Sequence, residues 1–419
     1  MKKLAIFLVL AFAFTMTFSG AAVAEEEIEI TYWQYFYESR VEAMDELIEQ
    51  FEEEYPHITV NHETYPYEDY NVRVSSAVPV GEGPDVLQLF YGWLPRYIEG
   101  EFLQPLPEEY FSQDQIEDEF YDLVEASKVD GDYYALPTAV RSLALVQNDD
   151  LLEQAGLDPD SPPETLDELV EYADQATVRD GGGNILQAGM SVQIDSQLHH
   201  WMRQVLIEQF GGEPYSDDYR EVLFDEKGGE EALEFVADLQ LEHEVGYYGF
   251  LTTDIDAFEA GQLAMTMIGS FTLGQFQEIP HLNFSVSELP SHEGRQSNFA
   301  SYWANGINSN LEGERLEAAS KFLQFITSDE AMDLWLDTVG ELPAKPEIAE
   351  EYIDHEYYGP FIEGLEYATA TYFLDESAQR EHAIDAFENV IHEDYSIEEA
   401  VKEWAENDQE VLDDHWEDQ

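Results

Sequence analysis

The chain has no cysteine. That excludes disulfides, thiolate catalysis, Cys-ligated zinc, iron–sulfur clusters and an N-terminal lipid-modified cysteine. Cations are scarce: 17 Lys+Arg stand against 92 Asp+Glu in 419 residues, a formal charge of -75. Such a surface repels polyanions, so no nucleic-acid partner is expected, and an anionic membrane surface is excluded for the same reason. After residue 24 no apolar run approaches the roughly 20 residues of a membrane span. Catalytic signatures are missing too: there is no G-x-S-x-G elbow, H-E-x-x-H, P-loop or complete G-x-G-x-x-G. His199-His200 is the one adjacent histidine pair, and helical neighbours point in different directions, so no metal site is expected there. With 92 acids, no carboxylate pair carries information about glycosidase chemistry. No catalytic residue, metal or cofactor is predicted.

Apolar material is plentiful. Hydrophobic residues make up 44% and aromatics 13%, so the chain is globular despite its charge. Its length suits two or three domains or one bilobal unit. Lys2 and Lys3, the uncharged run Leu4 to Phe18 and Ala22-Val23-Ala24 read as an export signal, residues 1–24, cut before Glu25. Acidity spread over the whole chain reads as adaptation to high salt, where carboxylates hold water and salt screens their repulsion. The competing cation-binding reading lacks the calcium loop D-x-[DN]-x-[DN]-G.

Periodicity gives the elements. Glu29 to Trp33 reads as a strand. Ser39 and Glu42 form a capping box for a helix whose face carries Val41, Met44, Leu47, Ile48 and Phe51. Strand 57–64, helix 69–78 and strand 85–90 come next, the last after the turn Gly81 to Pro84. Strand–helix–strand–helix–strand predicts an α/β lobe with a largely parallel sheet. Further on come extended strands over 133–147, a helix capped by Thr165 and Glu168, and a loop tip at Gly181 to Asn184. Helices at 197–210, 229–243 and 254–260, strand 263–268, a helix from Arg315 and a helical C-terminus from Ile384 complete the pattern.

Aromatic residues collect at predicted strand ends and turns, several just past a strand: Tyr32 to Tyr37, Phe90 to Trp93, His200-Trp201, Ser270-Phe271 and Tyr302-Trp303. In open α/β sheets ligands bind outside the carboxyl ends of the strands. Flat rings there stack on the C–H faces of sugars. The bland alternative is that they are core and lobe-interface rings.

Six motifs in order carry a resemblance. They are Gly83-Pro84-Asp85-Val86 leading to Gly100 to Leu106, Asp130 to Pro137, Asn148 to Leu152 with Ala155-Gly156-Leu157, Pro162 to Thr165, Phe258 to Met265, and Ala318 to Leu323 with Thr327-Ser328. Together the chain resembles the extracellular solute-binding proteins of ABC sugar importers, the maltose-binding-protein-like family. Gln147 and Leu166 depart from its pattern, and Arg141 stands where a ligand-binding Glu is usual.

The resemblance implies a two-lobed periplasmic-binding-protein fold, each lobe a mainly parallel sheet flanked by helices, joined by hinge strands. Residues 25–137 plus 286–328 would form the N-terminal lobe, and 138–285 plus 329–419 the C-terminal lobe. It implies a carbohydrate ligand in the inter-lobe cleft and delivery to ABC transporter permease subunits by a monomer. Without a lipidated cysteine, the location implied is periplasmic or secreted. Ligand contacts would come from Trp33, Tyr35, Tyr91, Trp93, Arg141, Trp201, Phe271, Tyr302, Trp303, Asn305 and Glu341. Arg141, a planar donor, suits vicinal hydroxyls, a uronate or a phosphate. Two alternatives stay open: the same scaffold binding a glycerol phosphodiester, another anion or a polyamine, and an exported polysaccharide hydrolase.

Overall fold

The computed structural model describes residues 27–216, 218–371 and 373–417. The predicted export signal, residues 1–24, lies outside them. Eleven strands build two sheets: β1 Ile28–Tyr35, β2 Ile58–Tyr65, β3 Val86–Phe90, β4 Ala135–Arg141, β5 Leu143–Asn148, β6 Val178–Arg179, β7 Ile185–Met190, β8 Leu263–Gly269, β9 Phe284–Ser287, β10 Ser301–Ile307 and β11 Leu342–Pro343. The first sheet runs β11-β4-β10-β3-β1-β2 and the second β9-β5-β8-β7-β6. The helices around them include α1 Glu38–Glu54, α2 Tyr67–Ala77, α3 Leu166–Ala176, α4 Gly229–Leu241, α5 Gly313–Ile326, α6 Asp329–Val339, α7 Gly359–Leu365, α8 Glu376–His392 and α9 Ile397–Glu417.

Two α/β lobes are present, as expected, but the sheets are mixed rather than mainly parallel. Parallel pairs form where a helix carries the chain back across: β1 with β2, β1 with β3, and β8 with β7. Strands β4, β5, β10 and β11 lie at the crossings between lobes. They enter antiparallel, β10 against both β3 and β4, β11 against β4, and β5 against both β8 and β9. Strands β5 and β10 arrive directly from the other lobe, with no crossover helix to set their direction.

The same crossings move the expected lobe boundaries. All of β4 lies in the first sheet, so the chain leaves that lobe at Ser142, the single residue between β4 and β5. All of β9 lies in the second sheet. Helix α6, expected in the C-terminal lobe, packs on α1 and β4, and β11 joins the first sheet. Only with α7, which packs on β5 and β9, does the chain return to the second lobe. The Asn298 amide braces the hinge: its Nδ2 donates to Leu143 O at 2.8 Å and its Oδ1 accepts from Leu143 N at 3.1 Å.

Local chemistry explains most elements. Thr165 and Glu168 form the expected capping box of α3. The one expected at Ser39 does not form; α1 starts at Glu38 after Tyr37, which caps with no side-chain bond. Helix α1 buries Arg40, Ala43, Met44, Leu47, Ile48 and Phe51 along one stripe. Phe322 of α5 packs edge-on against Tyr32 of β1 and Phe51 of α1, with ring centroids 5.5 and 5.2 Å apart. In the second lobe α4, α8 and α9 pack together. Among the described residues no helix is long and apolar enough to cross a membrane.

Candidate functional site

The first sheet delivers aromatic rings to one place because three of its strands end together. Strand β1 ends at Tyr35, and Tyr37 comes just before α1. Strand β3 ends at Phe90, and Tyr91-Gly92-Trp93 turns away from it. Strand β10 places Trp303 directly across from Phe90. Trp303 therefore sits 4.2 Å from Tyr35, 5.3 Å from Trp93 and 5.7 Å from Phe90, centroid to centroid. Tyr91 stacks on Tyr302 at 5.1 Å.

Arg40 enters this cluster from the buried stripe of α1. Its guanidinium lies 4.8 Å from the Tyr35 ring, 5.5 Å from Tyr37 and 5.9 Å from Trp303. Nη2 is paired with Glu341 Oε1, while Nε and Nη1 are buried with no partner. Trp335 Nε1 donates to the other Glu341 oxygen at 2.9 Å. Burial pulls the Arg40 pKa down and Glu341 opposes it. Burial likewise raises the Tyr37 hydroxyl, helped by Glu341 and opposed by Arg141.

The second lobe faces this wall. Phe271 lies just past β8 and meets Tyr37 edge-on at 6.3 Å. Arg141, the last residue of β4, lies over Phe271 at 5.2 Å, and its Nε donates to Ser301 Oγ at 2.7 Å. No carboxylate among the described residues pairs with it. Arg203 comes from a wide-turned helical segment, Trp201–Leu206. Its Nη2 reaches Glu376 Oε1 at 3.4 Å and His200 Nδ1 at 3.3 Å, and its guanidinium covers Phe373 at 4.3 Å. Arg380 lies one turn along α8 from Glu376, 3.9 Å away, with Tyr67 of the first lobe nearby.

The lobes are in contact here. Tyr91 lies 6.1 Å from Phe373, and a Cβ added to Gly92 would come 3.1 Å from Phe373 and 3.2 Å from Glu376. A side chain at this turn would have to push Phe373 and Glu376 aside by a few tenths of an ångström. The rings of His199 and His200 lie side by side, centroids 3.8 Å apart. His200 stacks on Phe299. Burial, with Arg203 nearby, holds both well below the usual histidine range, so they are neutral. Among the described residues no group of three or more His, Asp or Glu side chains is placed to hold a metal ion.

Of the residues singled out by sequence, the structure brings together Tyr35, Tyr91, Trp93, Arg141, Phe271, Tyr302 and Trp303. Trp33 is two residues short of the strand end and packs edge-on against Tyr65 at 5.0 Å. Trp201 is fully buried in the second lobe, edge-on to Phe235 at 5.7 Å. Asn305 is a brace within the first lobe: its Oδ1 accepts from the Tyr32 hydroxyl at 2.9 Å and its Nδ2 donates to Thr138 Oγ1 at 3.3 Å. Glu341 borders the cluster, but both its oxygens are engaged by Arg40 and Trp335. Sequence reasoning missed Tyr37, Arg40, Arg203, Phe373 and Glu376. Arg40 had a signal, a cation on an otherwise apolar helical stripe. The pair Arg203–Glu376, 173 residues apart, had none.

A separate groove of about 600 Å³ on the first lobe is lined by Tyr110, Phe120, Ser328 and Lys345 among others. Its lysine is tied to Asp329 and Glu119 at 2.7 and 3.0 Å. It shares no residue with the inter-lobe cluster.

The family model for bacterial extracellular solute-binding proteins matches residues 46–357. An arabinooligosaccharide-binding protein from Halalkalibacterium halodurans is 24% identical over 367 residues, 81% of this chain and 77% of that protein. An sn-glycerol-3-phosphate-binding periplasmic protein from Yersinia pseudotuberculosis is 24% identical over 359 residues, 79% of this chain and 77% of that one. The fold is similar to that of an ABC substrate-binding protein from Listeria monocytogenes in complex with cycloalternan. The TM-score is 0.80 at 24% identity, covering 92% of this chain and 99% of that one.

Proposed function

Because the chain belongs to the bacterial extracellular solute-binding proteins, we propose that it binds a carbohydrate between its lobes and hands it to the permease of an ABC importer. The observation that carries this reading is the aromatic wall at the strand ends. Tyr35, Trp93 and Trp303 supply ring faces for sugar C–H surfaces, and Phe271 faces them from the other lobe. Tyr37, Arg40 and Arg141 supply hydroxyl and guanidinium groups for sugar oxygens. Ligand enters when the lobes part about Ser142 and the other two crossings, and closure forms the surface the permease reads. The lobe division proposed with it puts 27–141, β10, α5, α6 and β11 in one lobe and β5 to β9 with α3, α4 and α7 to α9 in the other.

The protein acts as a binder and leaves its ligand unchanged. It is exported by residues 1–24, processed after Ala24, and works as a monomer in a salt-rich periplasmic or extracellular medium, which its formal charge of -75 suits. A second reading, a phosphorylated polyol or its diester, is favoured by one observation: no carboxylate among the described residues pairs with Arg141. A thermal-shift screen of oligosaccharides, glycosides and glycerol phosphates in molar salt tests both, since a ligand that binds only the folded state raises the melting temperature. A shift with sugars, and sugar recovered intact after long incubation, supports the carbohydrate reading. A shift with glycerol phosphates alone replaces it, and loss of sugar makes the protein a hydrolase.

A further inference from the structure

We propose that the carbohydrate taken by this cleft carries an anionic group, a uronate carboxylate or another oxyanion, bound by the cleft's arginines. The inference rests on the carbohydrate reading above and narrows it.

Charge distribution is the first support. The chain holds more than five acidic residues for every basic one. At the cleft the ratio inverts. Among the described residues, four guanidinium groups, of Arg40, Arg141, Arg203 and Arg380, lie there with two carboxylates, of Glu341 and Glu376. Both carboxylates are already engaged, Glu341 by Arg40 and Trp335, Glu376 by Arg203 and Arg380. Glu381, next to Arg380, is turned to solvent. His199 and His200 are neutral, so they do not alter the balance. The net positive charge sits where the lobes meet, inside a strongly negative molecule.

The unused donors are the second support. The Arg40 and Arg203 side chains are 2% and 4% exposed, and each keeps Nε and Nη1 buried without a partner. An aromatic ring lies beside each cation, Tyr35 by Arg40 at 4.8 Å and Phe373 by Arg203 at 4.3 Å. Arginine does not escape this by losing its proton. A buried donor left unmatched weakens the fold, and a buried water or a bound ligand supplies the match.

The chemistry of that match is specific. A neutral sugar hydroxyl both donates and accepts, and amides and carboxylates serve it well. A guanidinium only donates, in a planar fork that fits a carboxylate or phosphate. No acid among the described residues pairs with Arg141, and Ser301 braces it through Nε, so its two terminal nitrogens are held in place. In salt of physiological strength or above, exterior carboxylates are screened within roughly 8 Å, whereas charges inside a closed cleft are screened much less. The exterior therefore does not cancel the attraction.

The test is calorimetric titration of the full exported chain at one fixed high ionic strength. Probes are uronate oligosaccharides, their neutral methyl esters, neutral arabino- and malto-oligosaccharides, a hexose phosphate and sn-glycerol 3-phosphate. Wild type, Arg141→Gln and Arg141→Lys are compared. The expected result is a uronate or sugar phosphate bound about tenfold or more tightly than its neutral counterpart. Arg141→Gln should erase most of that preference and Arg141→Lys should keep part of it. The uronate and phosphate arms identify which oxyanion is preferred. Equal or tighter binding of neutral sugars overturns the anionic inference while leaving carbohydrate binding intact, as does an Arg141→Gln loss that is the same for charged and neutral probes. Glycerol phosphate binding with no sugar bound, or no binding by any acidic sugar, overturns the proposal, the former together with the carbohydrate reading.

Discussion

Trp201 and Trp303 are both shut away from solvent, at 0% and 6% exposure, and both belong to aromatic clusters visible in the sequence. Their surroundings differ. Trp201 sits among apolar side chains of one lobe, with Phe235 edge-on. Trp303 stands near the strand ends with Tyr35, Trp93 and a buried arginine around it, and Tyr37 of the same cluster meets Phe271 of the other lobe. Burial does not distinguish a core ring from a ring that serves a ligand when the lobes are together. The neighbours do: Trp201 has Phe235 of its own lobe beside it, whereas Trp303 has a buried cation beside it in a cluster that reaches the other lobe.

The strongest break in the comparison is truncation of the core ring. Trp201→Ala should destabilise by about 3–5 kcal/mol, the usual range for a large buried aromatic. Urea unfolding measures it, and affinity of the folded fraction should not change. An affinity loss with stability intact would move Trp201 into the site.

Next is the charge under the cleft. Glu341→Gln leaves the Arg40 guanidinium buried without its counter-ion, and removing one partner of such a pair costs about 3 kcal/mol. Denaturant unfolding should show that loss. A change below about 1 kcal/mol would mean that the pair behaves like an exposed one.

Trp303→Ala should act mainly on binding, lowering affinity by about 1–3 kcal/mol with a smaller loss of stability than Trp201→Ala. Calorimetry and urea unfolding on the same two variants give a direct contrast. If Trp303→Ala instead matches Trp201→Ala in both measurements, the two rings are the same kind.

The smallest effect concerns two kinds of histidine. His382 is hydrogen-bonded to Asp408 at 2.7 Å, which raises its pKa above the ordinary value despite partial burial. Its contribution is fully present below the unfolded value near 6.5 and is lost as pH rises through the folded value. His199 and His200 are shifted down by burial, so their contribution is present above about 6.5 and is lost as pH falls. His382→Gln should therefore destabilise more at pH 5.5 than at pH 8.5, a pair of conditions about one to two units either side of that value. A loss that is equal at both pH values would remove the ion pair from the account.

Much of both lobes was legible because the signals are local. The apolar stripe of α1, the Thr165 capping box and the glycine tip between β6 and β7 each depend on residues within a few positions of one another. The strand-end aromatics were legible too, since a strand end and the turn after it are neighbours in sequence. Ser39 misled because a hydroxyl three residues before a Glu is only half of a cap; the chain must also reach it extended, and here it is already helical.

What the sequence determined by itself was the order of elements, the family pattern and the places where rings gather, all of them set by spacings of two to four residues. The tertiary structure decided which of those rings face one another, the antiparallel entry of β4, β5, β10 and β11, and the lobe to which α6 belongs. It also decided the polar lining, because Arg40 with Glu341 and Arg203 with Glu376 meet across 301 and 173 residues. No periodicity reaches that far. Such pairs exist only once two sheets have formed, the chain has crossed between them, and the lobes have brought separate segments into one low-dielectric space.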